Sequence, residues 1–323
     1  MNRKKQILII DSNALIYRSY YGLPKLKNKR EEIVNAIYGF YLILFRVLKE
    51  LNPDFIVATF DLPSPTFRHK EYKEYKANRI KAPEELYQQI PKIKRLLEIF
   101  EIPIFEKEGF EADDIMGTIS ELVVNKEKQE IENIILSGDT DLFQLINPQT
   151  KIYFLKNGGR YIYDQEAIKE KYEGLLPKQL IELKALKGDA SDNIRGVSGI
   201  GEKTALKLIK EFGDIDALYL NLDKINNNVK NKLEKDKDKA FFSRRLVKIK
   251  KDVLIDFKLE KCEWKEYNYN KEKVIKFLKR LGLIKLIDKL PGPSDKFLSL
   301  KSEVEEENKI LSAKKVVFQK KLF

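Results

Sequence analysis

Three short apolar runs constrain the fold of this chain more than any other feature. Ile7 to Ile10, Phe55 to Phe60 and Ile134 to Leu136 are near-continuous hydrophobic segments bounded by polar residues, the pattern of parallel strands buried on both faces. Between them, Asn35 to Leu51 repeats apolar residues at helical spacing, and Pro83 to Phe100 opens with Pro-Glu-Glu, a favourable first helical turn. The alternation predicts an α/β domain with a mostly parallel central sheet flanked by helices. Ile152 to Tyr163 sets two β-prone runs around Asn157-Gly158-Gly159, which predicts a hairpin. From Pro177 strand patterns give way to helical ones until about Leu290, and Pro291-Gly292-Pro293-Ser294 is a stop. The expected organisation is an α/β domain over 1–175, a helical domain over 176–290, and a charged tail over 291–323 with too few apolar residues for a core of its own.

Composition excludes several chemistries. Cys262 is the only cysteine and His69 the only histidine in 323 residues, so neither an intramolecular disulfide nor a cysteine- or paired-histidine zinc site is possible. Any metal must sit on oxygen ligands. The basic start, Met1 to Lys5, leads into an apolar stretch that is short and ends at Asp11, unlike a secretory signal, and no apolar run is long enough to span a bilayer. A monomer of a reducing, cytoplasmic compartment is expected. The net charge of +12 favours a polyanionic partner, because cations that neutralise phosphates release counterions.

The acids fall where that sheet would gather them. Asp11 follows the first run, Asp61 the second, and Asp139 and Asp141 the third, each at the carboxyl end of a strand. In open α/β sheets ligands bind in the crevice outside those ends. Gly109-Phe110-Glu111-Ala112-Asp113-Asp114 opens a helix, with Glu111 and Asp114 on one face, and Gly188-Asp189-Ala190-Ser191-Asp192 repeats the three-residue spacing. So many carboxylates in one pocket repel and call for cations. Hard divalent ions take oxygen ligands, and two of them about 3.5 to 4 Å apart can activate water and stabilise a leaving oxygen in phosphodiester cleavage.

Two further segments suit a nucleic acid. Arg68, Lys70, Lys73, Lys76, Arg79 and Lys81 are interleaved with Tyr72 and Tyr75; on a helix Tyr72, Tyr75, Lys76 and Arg79 would form one basic and aromatic face, able to hold a phosphate and stack on unpaired bases. Gly199-Ile200-Gly201-Glu202-Lys203-Thr204 precedes a helical pattern running to Phe212. Its glycines would let backbone approach a phosphate at a helix N-terminus.

Asp11-Ser12-Asn13-Ala14-Leu15, the run from Phe67 to Arg79, GFEADD, SGDTDLFQL and GDASDNIRGVSGIGEKTA together resemble the 5′ nuclease domain of bacterial DNA polymerase I and its flap-endonuclease relatives. The resemblance covers roughly residues 6 to 290, in the family's order, with no family acid missing. It implies a PIN-like, resolvase-like sheet followed by a helical domain with a helix-three-turn-helix element that holds duplex DNA through its backbone and can involve K⁺. It implies a metal-dependent 5′ to 3′ exonuclease or flap endonuclease that uses Mg²⁺, with Mn²⁺ as a substitute, on 5′ flaps, nicks and RNA primer–DNA junctions in replication and repair. By that resemblance Asp11, Asp61, Glu111, Asp113 and Asp114 serve a first metal cluster. Asp139, Asp141, Asp189 and Asp192 serve a second. Lys76 and Arg79 match the catalytic basic pair of a helical arch, here about 66–100, and Gly199, Gly201, Lys203 and Thr204 contact DNA.

The resemblance reaches no proofreading or polymerase region, so no DNA synthesis is expected. Gln319-Lys320-Lys321-Leu322-Phe323 resembles a bacterial sliding-clamp-binding peptide, whose anchors would be Gln319, Leu322 and Phe323. The rival classes are a catalytically dead DNA-binding scaffold, a phosphotransfer enzyme with Asp11 as nucleophile, and a PIN-type ribonuclease. A pure binder gains nothing from acids beside a phosphate, and the second class usually has an acid where this chain has Asn13. The basic segment and Gly-Ile-Gly element weigh against the third.

Overall fold

A computed structural model describes residues 3–126, 131–156, 159–265 and 269–291. The tail with Gln319, Leu322 and Phe323, and the Asn157-Gly158 turn, lie outside them.

The sheet has six strands, β1 (Lys5–Asp11), β2 (Phe55–Thr59), β3 (Ile104–Phe105), β4 (Ile131–Ser137), β5 (Thr150–Lys156) and β6 (Gly159–Tyr163), ordered β3-β2-β1-β4-β5-β6. All pair in parallel except β6, which runs back along β5 as the expected hairpin. The short β3 carries too few residues to show a pattern in the sequence. Ile7 to Ile10 are fully buried because helices cover both faces. Leu8 and Ile10 point to one layer, formed by helices Ser12–Gly22, Asn35–Leu51 and Ile90–Ile99. Ile7 and Ile9 point to the other, where helix Ala112–Lys126 and the second helical layer pack. The strand order reverses between β1 and β4, so the crevice of such a sheet opens above Asp11 and Ser137.

Three expectations are corrected. The single helix from Pro83 to Phe100 is two, Glu84–Tyr87 and Ile90–Ile99, because Pro91 has no N–H to continue the first. This stretch is core rather than arch: Leu86, Ile93, Leu96, Leu97 and Phe100 are buried against Phe40 and Tyr41. The helices expected to run on to about 290 do not all pack together. From Ile249 the chain returns to the α/β layer: Ile249 N–H donates to Gln144 at 2.9 Å, Val253 N–H to Thr118 at 3.1 Å and Trp264 N–H to the Asp54 carbonyl at 2.8 Å. Helix Lys271–Arg280 then buries Val274 and Leu278 in the core that holds Phe100. Among the described residues no helix is long and apolar enough to cross a membrane.

Candidate metal centre

Each strand-end acid is fixed by the chain that follows it. Asp11 ends β1 and caps helix Ser12–Gly22, its carboxylate accepting the Ala14 N–H at 3.0 Å and the Ser137 hydroxyl of the neighbouring β4 at 2.5 Å. The Ser137 oxygen accepts the Asp139 N–H at 3.0 Å, and the Asp139 carboxylate accepts the Asp141 N–H at 2.8 Å. Asp61, beyond β2, accepts the Ala112 N–H at 2.7 Å where helix Ala112–Lys126 begins. These bonds draw β1, β2, β4 and the helix carrying Asp113 and Asp114 to one point.

Their charges conflict there. Burial pushes the Asp11 carboxyl up to about 7, with Asp139 and Asp61 adding to the shift against the hydrogen bonds from Ser137 and Ala14. Burial, then the charges of Asp139, Asp11 and Glu111, raises Asp113 well above the usual carboxylate range. Asp141 is also pushed to about 7, by burial and by Asp139, although Lys184 pulls the other way. Such a set is complete only with positive charge.

Four cationic side chains supply part of it. The Arg68 guanidinium makes a forked pair with Asp114 at 2.7 and 2.8 Å and reaches Glu111 at 3.2 Å. Lys76 donates to Glu111 at 2.6 Å and lies 3.9 Å from Asp192; Arg79 donates to Asp192 at 2.5 Å. Lys184 bridges Asp141 and Asp189, the latter at 2.5 Å. Burial acts upward on Asp189, but Lys184 and hydrogen bonds from Ser191 outweigh it and hold the carboxyl at about 2. The Tyr75 hydroxyl lies between the two groups of acids, 3.0 Å from the Glu111 carboxylate and 2.9 Å from that of Asp192, with its single proton to give to either.

With these side chains interposed, no group of three or more His, Cys, Asp or Glu residues among those described is drawn together tightly enough to hold an ion by itself. The donor set still fits a hard divalent ion. It is all carboxylate, His69 is committed to the cap at Thr66 and Cys262 is buried elsewhere. Mg²⁺ takes one or two carboxylates and completes its shell with water and substrate phosphate.

Several expected roles change with their surroundings. Arg68, expected to contact DNA, is 2% exposed, and its remaining donors hold the carbonyls of Leu246 and Lys248. Tyr75 is buried and cannot stack on a base, and Tyr72 packs edge-on against Phe242. Asp114 is fully buried, its oxygens taken by Arg68 and by the Glu111 and Lys250 N–H groups. The basic and aromatic helical face does not form. Helix Phe67–Glu71 stops at Tyr72, and a series of turns follows in which Lys76 adopts φ +55°. That turn is held by the Lys76 N–H on the Asp192 carbonyl at 3.0 Å and by Asn193 and Asn78 across the same gap. Lys70 and Arg79 are exposed. Gly199, Gly201 and Lys203 are exposed and Thr204 half-buried at the start of helix Glu202–Phe212, where Gly201 is the N-cap. The Ser198 N–H donates to buried Asp236 at 2.8 Å, which anchors this loop to the next helix pair.

Ser137, Lys184 and Asp236 were not singled out by sequence. Ser137 stands inside the SGDTD motif, where a hydroxyl between two strand-end acids carries a signal. The other two are single charges in a lysine- and acid-rich chain, with none.

The resolvase-like sheet, its acid-lined crevice and the attached helical layer define a class, and the chain belongs to the 5′-3′ exonuclease family. The model of its N-terminal resolvase-like domain matches residues 6–173 and that of its C-terminal SAM fold residues 175–270. DNA polymerase I of Bacillus subtilis (strain 168) is 40% identical over 293 residues, 90% of this chain and 33% of the relative. Thermostable DNA polymerase I of Thermus thermophilus is 38% identical over 253 residues, 78% of this chain and 30% of that protein. The chain thus spans about a third of the length of these relatives. T5 5′-exonuclease, solved with divalent zinc ions bound, superposes with a TM-score of 0.64 at 20% identity, over 89% of this chain and 100% of that one. Flap endonuclease-1 from Methanococcus jannaschii gives 0.57 at 20% identity, over 90% and 92%. At those identities the likeness establishes a common fold.

Proposed function

We propose that the protein hydrolyses phosphodiester bonds of 5′-ended branched or nicked DNA, and of RNA primers joined to DNA, in a Mg²⁺-dependent reaction. The observation that carries this reading is the electrostatic conflict at the sheet's switch point, where Asp11, Asp113 and Asp141 are each raised by burial and then by the charge of Asp139 between them. A binder of polyanions has no use for that arrangement, whereas cation-assisted phosphate hydrolysis requires it.

Bound divalent ions supply an activated water and neutralise the leaving oxygen. Asp11 and Asp113 suit a first ion, with Asp61 and Glu111 at its edge, and Asp141, Asp189 and Asp192 suit a second; Asp139, which the resemblance groups with the second, acts on Asp11 and Asp113 as well as on Asp141 and so also suits the first. Asp114 acts through Arg68 as a positioning residue. Lys76 and Arg79 lie on the crevice wall, where they can leave their carboxylates for a substrate phosphate. The exposed Gly199 to Thr204 turn suits a duplex backbone, consistent with recognition of shape over sequence, with K⁺ as a further ligand of that turn.

The test offers a labelled 5′ flap, a nicked duplex, a single strand and RNA to the protein and to Asp139→Asn, with Mg²⁺ or EDTA. Short 5′ products from branched DNA in Mg²⁺ alone are expected, reduced at least about a hundredfold by the substitution, the scale of losing one group that stabilises developing charge. Unaltered cleavage in EDTA, or by Asp139→Asn, would refute the assignment.

A further inference from the structure

Lys184 lies near the end of helix Gln179–Lys187 and points back into the crevice rather than to solvent, its side chain 17% exposed. Gly188, at φ +80°, turns the chain sharply after the helix, so that Asp189 comes alongside the lysine five residues earlier. The packing leaves no slack: a Cβ on Gly196 would stand 2.2 Å from the Leu186 carbonyl and 2.3 Å from the Gly188 nitrogen. Asp141 arrives from a different element, the 3₁₀ turn Asp141–Leu145 after β4, with its N–H on Asp139 at 2.8 Å. The Lys184 ammonium sits between the Asp141 and Asp189 carboxylates and makes ion pairs with both. Two acids from separate elements, beside a third, are held together by one ammonium.

We propose that Lys184 is a tethered cation that stands in for the second divalent ion and competes with it. The inference rests on the metal-centre reading above. An ion held by Asp141 and Asp189 would need the oxygens that the ammonium now holds, so the lysine would have to withdraw for it to bind. Its flexible four-carbon stem permits that movement. The second site is thereby kept assembled without metal, and its affinity is set low enough that the ion is taken up together with the substrate phosphate. A lysine that merely braced the loop would instead favour metal binding by keeping the acids in place.

Mn²⁺ uptake by the full-length protein without DNA, followed by calorimetry, separates these roles, alongside thermal melts in EDTA and in saturating Mn²⁺. Lys184→Met should tighten the weaker Mn²⁺ site about tenfold, and it should melt below the wild type in EDTA but not in Mn²⁺, since an ion that binds the folded state restores what the lysine supplied. Lys184→Arg, which keeps the cation, should follow the wild type. Unchanged or weaker Mn²⁺ binding by Lys184→Met, with an equal melting loss in both buffers, overturns the inference and leaves the metal centre standing. A wild-type protein that takes up no Mn²⁺ overturns both.

Discussion

At the scale of the residue, the clearest division of labour is between Asp113 and Asp114. Neighbours on one helix turn, they point to different surroundings. Asp113 meets the strand-end acids, while Asp114 is sealed against Arg68 and two N–H groups. Removing Arg68 would leave a fully buried carboxylate without its partner, which costs about 3 to 5 kcal/mol. Arg68→Met should therefore lower unfolding stability in denaturant by that order. Changing Asp114 to Leu in the same chain should recover only part, because the Lys250 and Glu111 N–H groups lose their acceptor. A loss from Arg68→Met no larger than that of a typical surface change would contradict this role.

The crowded acids also set a pH dependence. Asp11 and Asp141 carry folded-state values near 7, above their ordinary value of 3.8. Between those limits the folded protein keeps protons that the unfolded chain releases, so these groups make stability fall as pH rises through that window. Asp189, held at about 2, acts oppositely: its contribution is present above pH 4 and lost as pH falls towards 2. Chemical denaturation in EDTA from pH 4 to 8 should show the decline, and Asp11→Asn should flatten it. A slope of the opposite sign would show that burial and the neighbouring Asp139 charge do not raise these acids in the folded state.

The positions of the acids were legible in the sequence because a strand end is marked by the residues before it. The fate of Arg68 was not. Charge and neighbours along the chain cannot reveal that the Leu246 and Lys248 carbonyls, some 180 positions later, will close over it.

At the scale of the element, the same limit explains the segment after helix Phe67–Glu71. Its charges and tyrosines fit a helical face, but Tyr75 gains more by burying its ring and bonding Glu111 and Asp192 than the chain gains from two further helical turns. That choice belongs to the loop around Asp192, which no local pattern contains. Helix Asn35–Leu51 was read at its true bounds because its apolar face meets the sheet directly.

The Gly-rich turn divides into glycines with different tasks. Gly196 lies where any side chain would strike the Leu186 carbonyl, whereas at Gly201 a Cβ meets nothing within 4 Å and φ is an ordinary −90°. Gly196→Ala should unfold at clearly lower denaturant and displace Asp189 and Asp192, with lost activity. Gly201→Ala should change stability by less than about 1 kcal/mol, since a cap glycine without a side-chain bond gives up little. Equal effects on unfolding and cleavage would contradict the distinction.

At the scale of the whole molecule, the crevice is built by pieces that meet only because of chain order. The β3-β2-β1-β4-β5-β6 sheet puts Asp11, at the end of β1, beside β4, whose end at Ser137 leads into Asp139. The helical layer brings Asp189 and Asp192 from above. The return of 249–291 fastens that layer to the α/β core through Ile249 on Gln144 and Lys250 on Asp114. The sequence announces the sheet and both acid groups, yet it hides the return, because the helices of this last stretch carry the same lysine-rich pattern as those before it.

The central claim is that acids from five separate segments form one divalent-cation centre beside a phosphate site. Crystals soaked in Mn²⁺ test it most directly, by anomalous scattering. Two peaks are predicted in the crevice, one contacted by Asp11, Asp113 or Asp139 and the other by Asp141, Asp189 or Asp192, with Lys184 displaced from the second. Manganese bound only at the protein surface, with the lysines still seated on their carboxylates, would contradict it.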